Sequence, residues 1–216
     1  MRLFLICLTV WFAGLASPVS AVETYDLIFR SGTLDAVAKD TELRYERKLF
    51  VAADPEFSQR NTGEVRLIFE ADDMARLQFS QGKKHRNIGS FPATVGNPVI
   101  MYFVESVVRE VAQNAGGSPF YIRNRVKESL IQFAEIVGTE AGFGGTQVPV
   151  QQITLRPFLN DKNREKMKGY ADLALTITMS DDVPGWYLSL DARVDGTVGG
   201  APIYESSLTL RAGEAQ

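Results

Sequence analysis

Cysteine is almost absent from this 216-residue chain, and the single one, Cys7, lies in the N-terminal apolar run. Once that run is removed, a disulfide framework, a thiolate nucleophile and any Cys-ligated metal site are excluded together. Histidine is nearly as scarce. His85 stands alone in Gly82-Lys83-Lys84-His85-Arg86, with no further zinc ligands spaced around it and no nucleophile on a recognisable turn to complete a Ser-His-Asp set. It reads as a solvated residue beside a hairpin tip. A concentrated basic face is missing too: 23 Lys and Arg against 26 Asp and Glu leave a net charge of −3, which argues against nucleic acid as a partner. No repeat, low-complexity tract or interdomain linker interrupts the chain.

The one long apolar run is at the start. Arg2 precedes Leu3–Leu15, Ser17-Pro18 breaks the run before it reaches a comfortable span, and Val19-Ser20-Ala21 supplies the small residues a signal peptidase accepts. The expectation is a signal peptide over residues 1–21, a single α+β domain over 22–216 with no transmembrane segment after cleavage, and a periplasmic or secreted location. A lipid anchor would need a cysteine at the cleavage site, and there is none.

From Glu23 to about Ala93 the apolar pattern has a period of two, the signature of strands with one wet face. Tyr25, Leu27 and Phe29 alternate with Asp26 and Arg30. Leu43, Tyr45, Leu49 and Val51 alternate with Arg44, Glu46 and Lys48; after a polar loop over Asp54–Gly63, the pattern resumes through Val65, Leu67 and Phe69 and then Leu77 and Phe79. This predicts an antiparallel meander of four or five strands.

Asn97–Gly117 then changes period. Ile100, Phe103, Val104, Val107, Val108, Val111 and Ala115 fall at helical steps of three and four, with Asn97 and Pro98 at the start and Gly116 at the end. A second helix is predicted from Ser118-Pro119 through Ile122, Val126, Leu130, Phe133 and Val137 to Gly138. The two-glycine link makes the pair an αα-hairpin or angled corner.

Thr139–Gln147, with Gly142, Gly144 and Gly145, reads as a mobile loop, since these glycines lead to a strand and not to the helix a phosphate site requires. Period two returns in Gln151–Phe158, in Tyr170–Met179 and in Trp186–Val194, where Trp186, Leu188 and Leu190 oppose Tyr187, Ser189 and Asp191. A last strand spans Ile203–Arg211. The fold class is therefore α+β: a curved antiparallel sheet of about eight strands, in two meanders, with the central αα-hairpin packed on one face. In this order of elements the chain resembles the half-open barrels with a helical lid of periplasmic lipoprotein carriers of the LolA and LolB type. The resemblance implies a hydrophobic cargo.

Few residues carry recognisable chemistry. Glu105 and Arg109 are spaced as a surface i,i+4 pair. Asp72-Asp73 and Asp181-Asp182 sit in turns and lack the spacing of a calcium loop. Tyr121, Arg123 and Arg125 gather at the helix–helix corner, where guanidinium groups could meet a carboxylate or phosphate. The expected function is a non-enzymatic exported protein that binds a lipid-like or other hydrophobic small molecule between sheet and helix, with no cofactor and no metal. Phe103, Val107, Val111 and Trp186 would line the ligand, with Tyr121, Arg123 and Arg125 at the corner. The alternatives are an envelope protein-interaction module with a solid core, and a hydrolase whose carboxylates come together from distant strands.

Overall fold

The structure is a computed structural model that describes residues 21–196 and 200–213, with side chains from Thr24 onward. The expected signal peptide lies outside the described residues except for its final Ala21. Nine strands make one open antiparallel sheet, one more strand than the sequence suggests. They are β1 (Glu42–Val51), β2 (Gly63–Glu70), β3 (Met74–Gln81), β4 (Lys84–Pro92), β5 (Ile136–Phe143), β6 (Thr146–Leu155), β7 (Ala174–Met179), β8 (Tyr187–Asp195) and β9 (Pro202–Leu210). In space they run β4-β3-β2-β1-β9-β8-β7-β6-β5. Each meander pairs with itself, and the two are joined along β1 and β9, where Tyr45 faces Leu210 and Val51 faces Tyr204.

The helices are α1 (Ala21–Ile28), α2 (Pro55–Asn61), α3 (Val99–Ala115) and α4 (Pro119–Leu130). α3 runs as its periodicity requires. The Asn97 side chain accepts from the Val99 N–H at 3.1 Å, and Gly116 takes the left-handed conformation at φ 76° that closes the helix. Its stripe is buried almost throughout: Phe103 is 1% exposed, Val107 and Val111 not at all. α3 lies over β1 and β9, the middle of the sheet, and α4 packs against α3.

Five expectations are corrected. Residues 24–31 are not a strand; α1 forms there because Thr24 and Ile28, four apart, are the buried pair. Its last carbonyls are satisfied from outside: the indole N–H of Trp186 donates to Leu27 at 3.1 Å and the Tyr187 hydroxyl to Ile28 at 2.5 Å. Residues 55–61 are not a loop, because Asp54 caps the Phe57 N–H and Pro55 sits where a helix tolerates proline best.

The second helix stops at Leu130, leaving Phe133 and Val137 exposed at 58% and 47%. The segment read as a glycine loop is the hairpin β5–β6, turned by Gly144-Gly145 at φ 58° and 83°. A Gly-Gly pair between two strands is a hairpin signal that the surrounding glycines obscured. A register shift in the β7–β8 ladder also puts Tyr187 in the core beside Trp186, where simple alternation would have faced it outward.

Candidate functional site

The inner face of β1 is apolar except at one position. Leu43, Tyr45, Leu49 and Val51 point inward, and Arg47, at the same parity, is 2% exposed. Its Nη2 donates to the Glu110 carboxylate of α3 at 2.5 Å. Glu110 is 5% exposed and its second oxygen accepts from the Tyr204 hydroxyl of β9 at 2.7 Å. Strand β1, strand β9 and helix α3 thus meet at a single buried carboxylate.

Arg47 and Tyr204 are also held by partners outside α3. Arg47 Nε donates to the Asn61 carbonyl at 3.1 Å, a second guanidinium nitrogen approaches the Ser206 hydroxyl at 3.5 Å, and Tyr204 packs against the Tyr170 ring at 5.7 Å between centroids. From the helix side Tyr102 places its ring 5.6 Å from the guanidinium. Burial, reinforced by the negative charge of Glu110, pushes the Tyr204 and Tyr170 hydroxyls above their ordinary value. Tyr204 therefore stays protonated and donates.

Phe103, Val107 and Val111 share the buried face of α3 with Glu110, as their spacing predicts. Trp186 is elsewhere, in the β7–β8 turn, with Arg30 stacked 4.6 Å from its ring and paired to Asp181 at 2.6 Å. Tyr121, Arg123 and Arg125 do lie on one corner, but each is engaged within the molecule. Arg123 holds Glu105 through two bonds of 2.7 Å, and Glu105 bonds to it in place of the anticipated Arg109. Tyr121 donates to Asp161 at 2.6 Å, Asn163 supports both, and Arg125 pairs with Glu128 at 2.5 Å.

Burial by itself would raise the Asp161 pKa. The Tyr121 hydroxyl, the Asn163 N–H and Arg125 outweigh it and hold the carboxyl below its usual range. Glu105 is also held low, first by the hydrogen bond from Arg123.

Of the clefts at the surface, two lie beside the helical pair. One of about 320 Å³ lies beside α4 and is lined by Arg125, Phe133, Arg156, Leu159 and Asp161 among others. A mainly apolar groove of about 180 Å³ runs at the start of α3 between Phe29, Phe91, Val95 and Met101. Neither is lined by Phe103, Val107 or Val111. Among the described residues no three His, Cys, Asp or Glu side chains gather as a metal ion would need, and no helix is long and apolar enough to cross a membrane.

Sequence reasoning missed Arg47, Glu110 and Tyr204. A signal for the first two was present: Glu110 follows Phe103 and Val107 at helical steps, and Arg47 has the parity of Tyr45 and Leu49. Opposite charges at inward positions of two elements that must pack together mark a buried pair.

No protein-family model matches the chain, and no curated protein matches it. Among solved structures it aligns with the Mycobacterium tuberculosis lipoprotein LppX over 88% of this chain and 94% of that one, at 12% identity and a TM-score of 0.35. A likeness that distant carries no conclusion about function.

Proposed function

We propose that this protein is an exported, non-enzymatic holder of a lipid-like molecule, taken up between α3 and the inner face of the sheet when α3 lifts. The observation that supports this reading is the ion pair Arg47–Glu110, buried in a predominantly apolar helix–sheet interface. Well-packed apolar side chains often serve a permanently closed core as well or better, because a buried pair loses hydration that its attraction only partly returns. A lid that opens is another matter. Both charges regain water as they separate, so opening costs less than parting an apolar interface of the same area.

With the helix raised, Phe103, Val107 and Val111 would form the apolar wall facing an acyl chain. The test is native mass spectrometry of protein purified from an exporting host, together with incubation of delipidated protein with phospholipid vesicles. A bound small molecule and lipid extraction are expected. Protein that carries nothing and extracts nothing refutes the reading.

A second reading is favoured by a different observation. Phe120, Ile131, Phe133 and Leu159, on and after α4 and in the 157–161 segment, are each more than half exposed. Such side chains suit an envelope protein partner docking on the outer side of the helical pair. Phe133→Ser with Leu159→Ser would then abolish partner retention in a pull-down while leaving the melting temperature unchanged. Unaltered retention would count against this surface.

A further inference from the structure

The carboxylate of Glu110 sits between two donors, Arg47 of β1 and Tyr204 of β9. We infer that the ligand of this protein is an anionic amphiphile, an acyl chain headed by a carboxylate or phosphate, and that Glu110 is its internal stand-in, displaced from Arg47 and Tyr204 when the ligand binds. This rests on the lid reading above and adds to it the class of ligand and the group that selects it.

The argument is one of what stays behind. Every bond that orients Arg47 apart from the one to Glu110 comes from sheet-side partners: the Asn61 carbonyl at the end of α2 and Ser206 of β9. Tyr204 is likewise held from the sheet side, by Tyr170. When α3 leaves it takes Glu110 and the Tyr102 ring with it, and what remains is a guanidinium and a phenol hydroxyl aimed at the same point. These two donors now reach the two oxygens of one carboxylate at 2.5 and 2.7 Å. A fatty-acid carboxylate or a phosphate monoester presents the same pair of acceptors.

The surroundings argue for charge on that head. Arg47 is the only cation among the buried side chains of the described residues. A neutral head would leave it buried without a counter-charge, whereas an oxyanion restores the pairing that Glu110 supplied. Along β1 and β9 its inward neighbours are Tyr45, Leu49, Leu208 and Leu210, an apolar bed for the chain.

Because Glu110 competes for the same donors, it sets the affinity. A ligand must outbid an intramolecular carboxylate, so the closed form resists weak or uncharged lipids. The arrangement is selective by exclusion as well as by attraction.

The test is competition binding on delipidated protein, with a fluorescent fatty acid as the displaced probe and sodium oleate, dioleoyl phosphatidic acid, oleyl alcohol and inorganic phosphate as competitors. Wild type is expected to prefer oleate or phosphatidic acid to oleyl alcohol, and inorganic phosphate alone should not displace the probe. The two anionic lipids separate a carboxylate head from a phosphate head. Glu110→Gln, which keeps the shape and removes the competing charge, should bind the preferred anion about tenfold tighter. Arg47→Met with Glu110→Met, an apolar replacement of the pair, should bind oleate and oleyl alcohol alike.

The inference is overturned if the double variant keeps the wild-type preference, or if a folded Glu110→Gln protein binds the anion no more tightly. Circular dichroism and melting establish folding for both variants, and should Glu110→Gln not fold, the double variant decides alone. Lipid binding without preference for charge refutes this inference and leaves the lid reading standing. No binding of any lipid refutes both.

Discussion

Arg123 of α4 grips both carboxylate oxygens of Glu105 on α3, with Nε and Nη2 each 2.7 Å from an oxygen. Five residues further along α3, roughly 140° around the helix axis, Glu110 is bound to the sheet through Arg47. One helix therefore carries two ion pairs with different tasks. The outer one joins α3 to α4, and the inner one joins α3 to the sheet.

The outer pair should matter modestly for stability. Arg123 and Glu105 are 38% and 36% exposed, so water and salt screen them. Arg123→Ala is expected to shift the urea midpoint only slightly, with a smaller effect at high salt. Urea titrations at low and high ionic strength measure this. A large, salt-independent loss would show that α4 holds α3 far more tightly than screening allows.

The inner pair should behave in the opposite way. Arg47→Met alone leaves Glu110 buried without its cation and is expected to destabilise by about 3–5 kcal/mol, whereas Arg47→Met combined with Glu110→Met should return close to wild type. A double-mutant cycle from denaturant unfolding reads the coupling. Additive losses would mean that the pair is not the unit described here.

Acid should weaken the helical corner. Glu105 and Asp161 have folded pKa values below their ordinary 4.5 and 3.8. Their contribution is present above those ordinary values and is lost as pH falls through the depressed ones. Asp191 works the other way: burial raises its pKa, Ser189 offsets part of the rise and Glu205 adds to it, so its contribution is present below 3.8 and lost as pH rises through the raised value. Urea midpoints from pH 7 to pH 3 should fall on acidification. They should fall less for Glu105→Gln with Asp161→Asn, and Asp191→Asn should be more stable than wild type at pH 7. A double variant with the wild-type pH profile would contradict the assignment.

The turn beneath the start of α3 should tolerate little change. Gly185 sits at φ 79°, and a β-carbon there would come within 2.6 Å of Leu43 and 2.9 Å of Asn97, whose amide donates to the Gly185 carbonyl and to the Tyr45 hydroxyl. Asn97 also caps α3. Gly185→Ala is expected to cost about 1–3 kcal/mol, from overpacking and from a left-handed backbone that alanine resists. Thermal melting measures the loss, and an unchanged melting temperature would mean that the turn relaxes freely.

What the sequence determined by itself is whatever acts within a turn or two of chain. The 3.6 period and the Asn97 and Gly116 signals set α3, and the period of two set the faces of β1, β2 and β3, because side-chain direction in a helix or strand is a local property. The two-meander order was legible for the same reason.

The tertiary structure decided what short apolar segments leave ambiguous. Residues 24–28 fit either period, and partners contributed by Trp186 and Tyr187, 159 residues away in each bond, favour the helix. Tertiary structure also decided the seam between β1 and β9, and with it the meeting of Arg47, Glu110 and Tyr204. Residues 63 and 94 positions apart in the chain become partners only once the sheet has closed its order beneath α3. No local pattern encodes that closure, because it is the burial of both meanders against one helix that selects it.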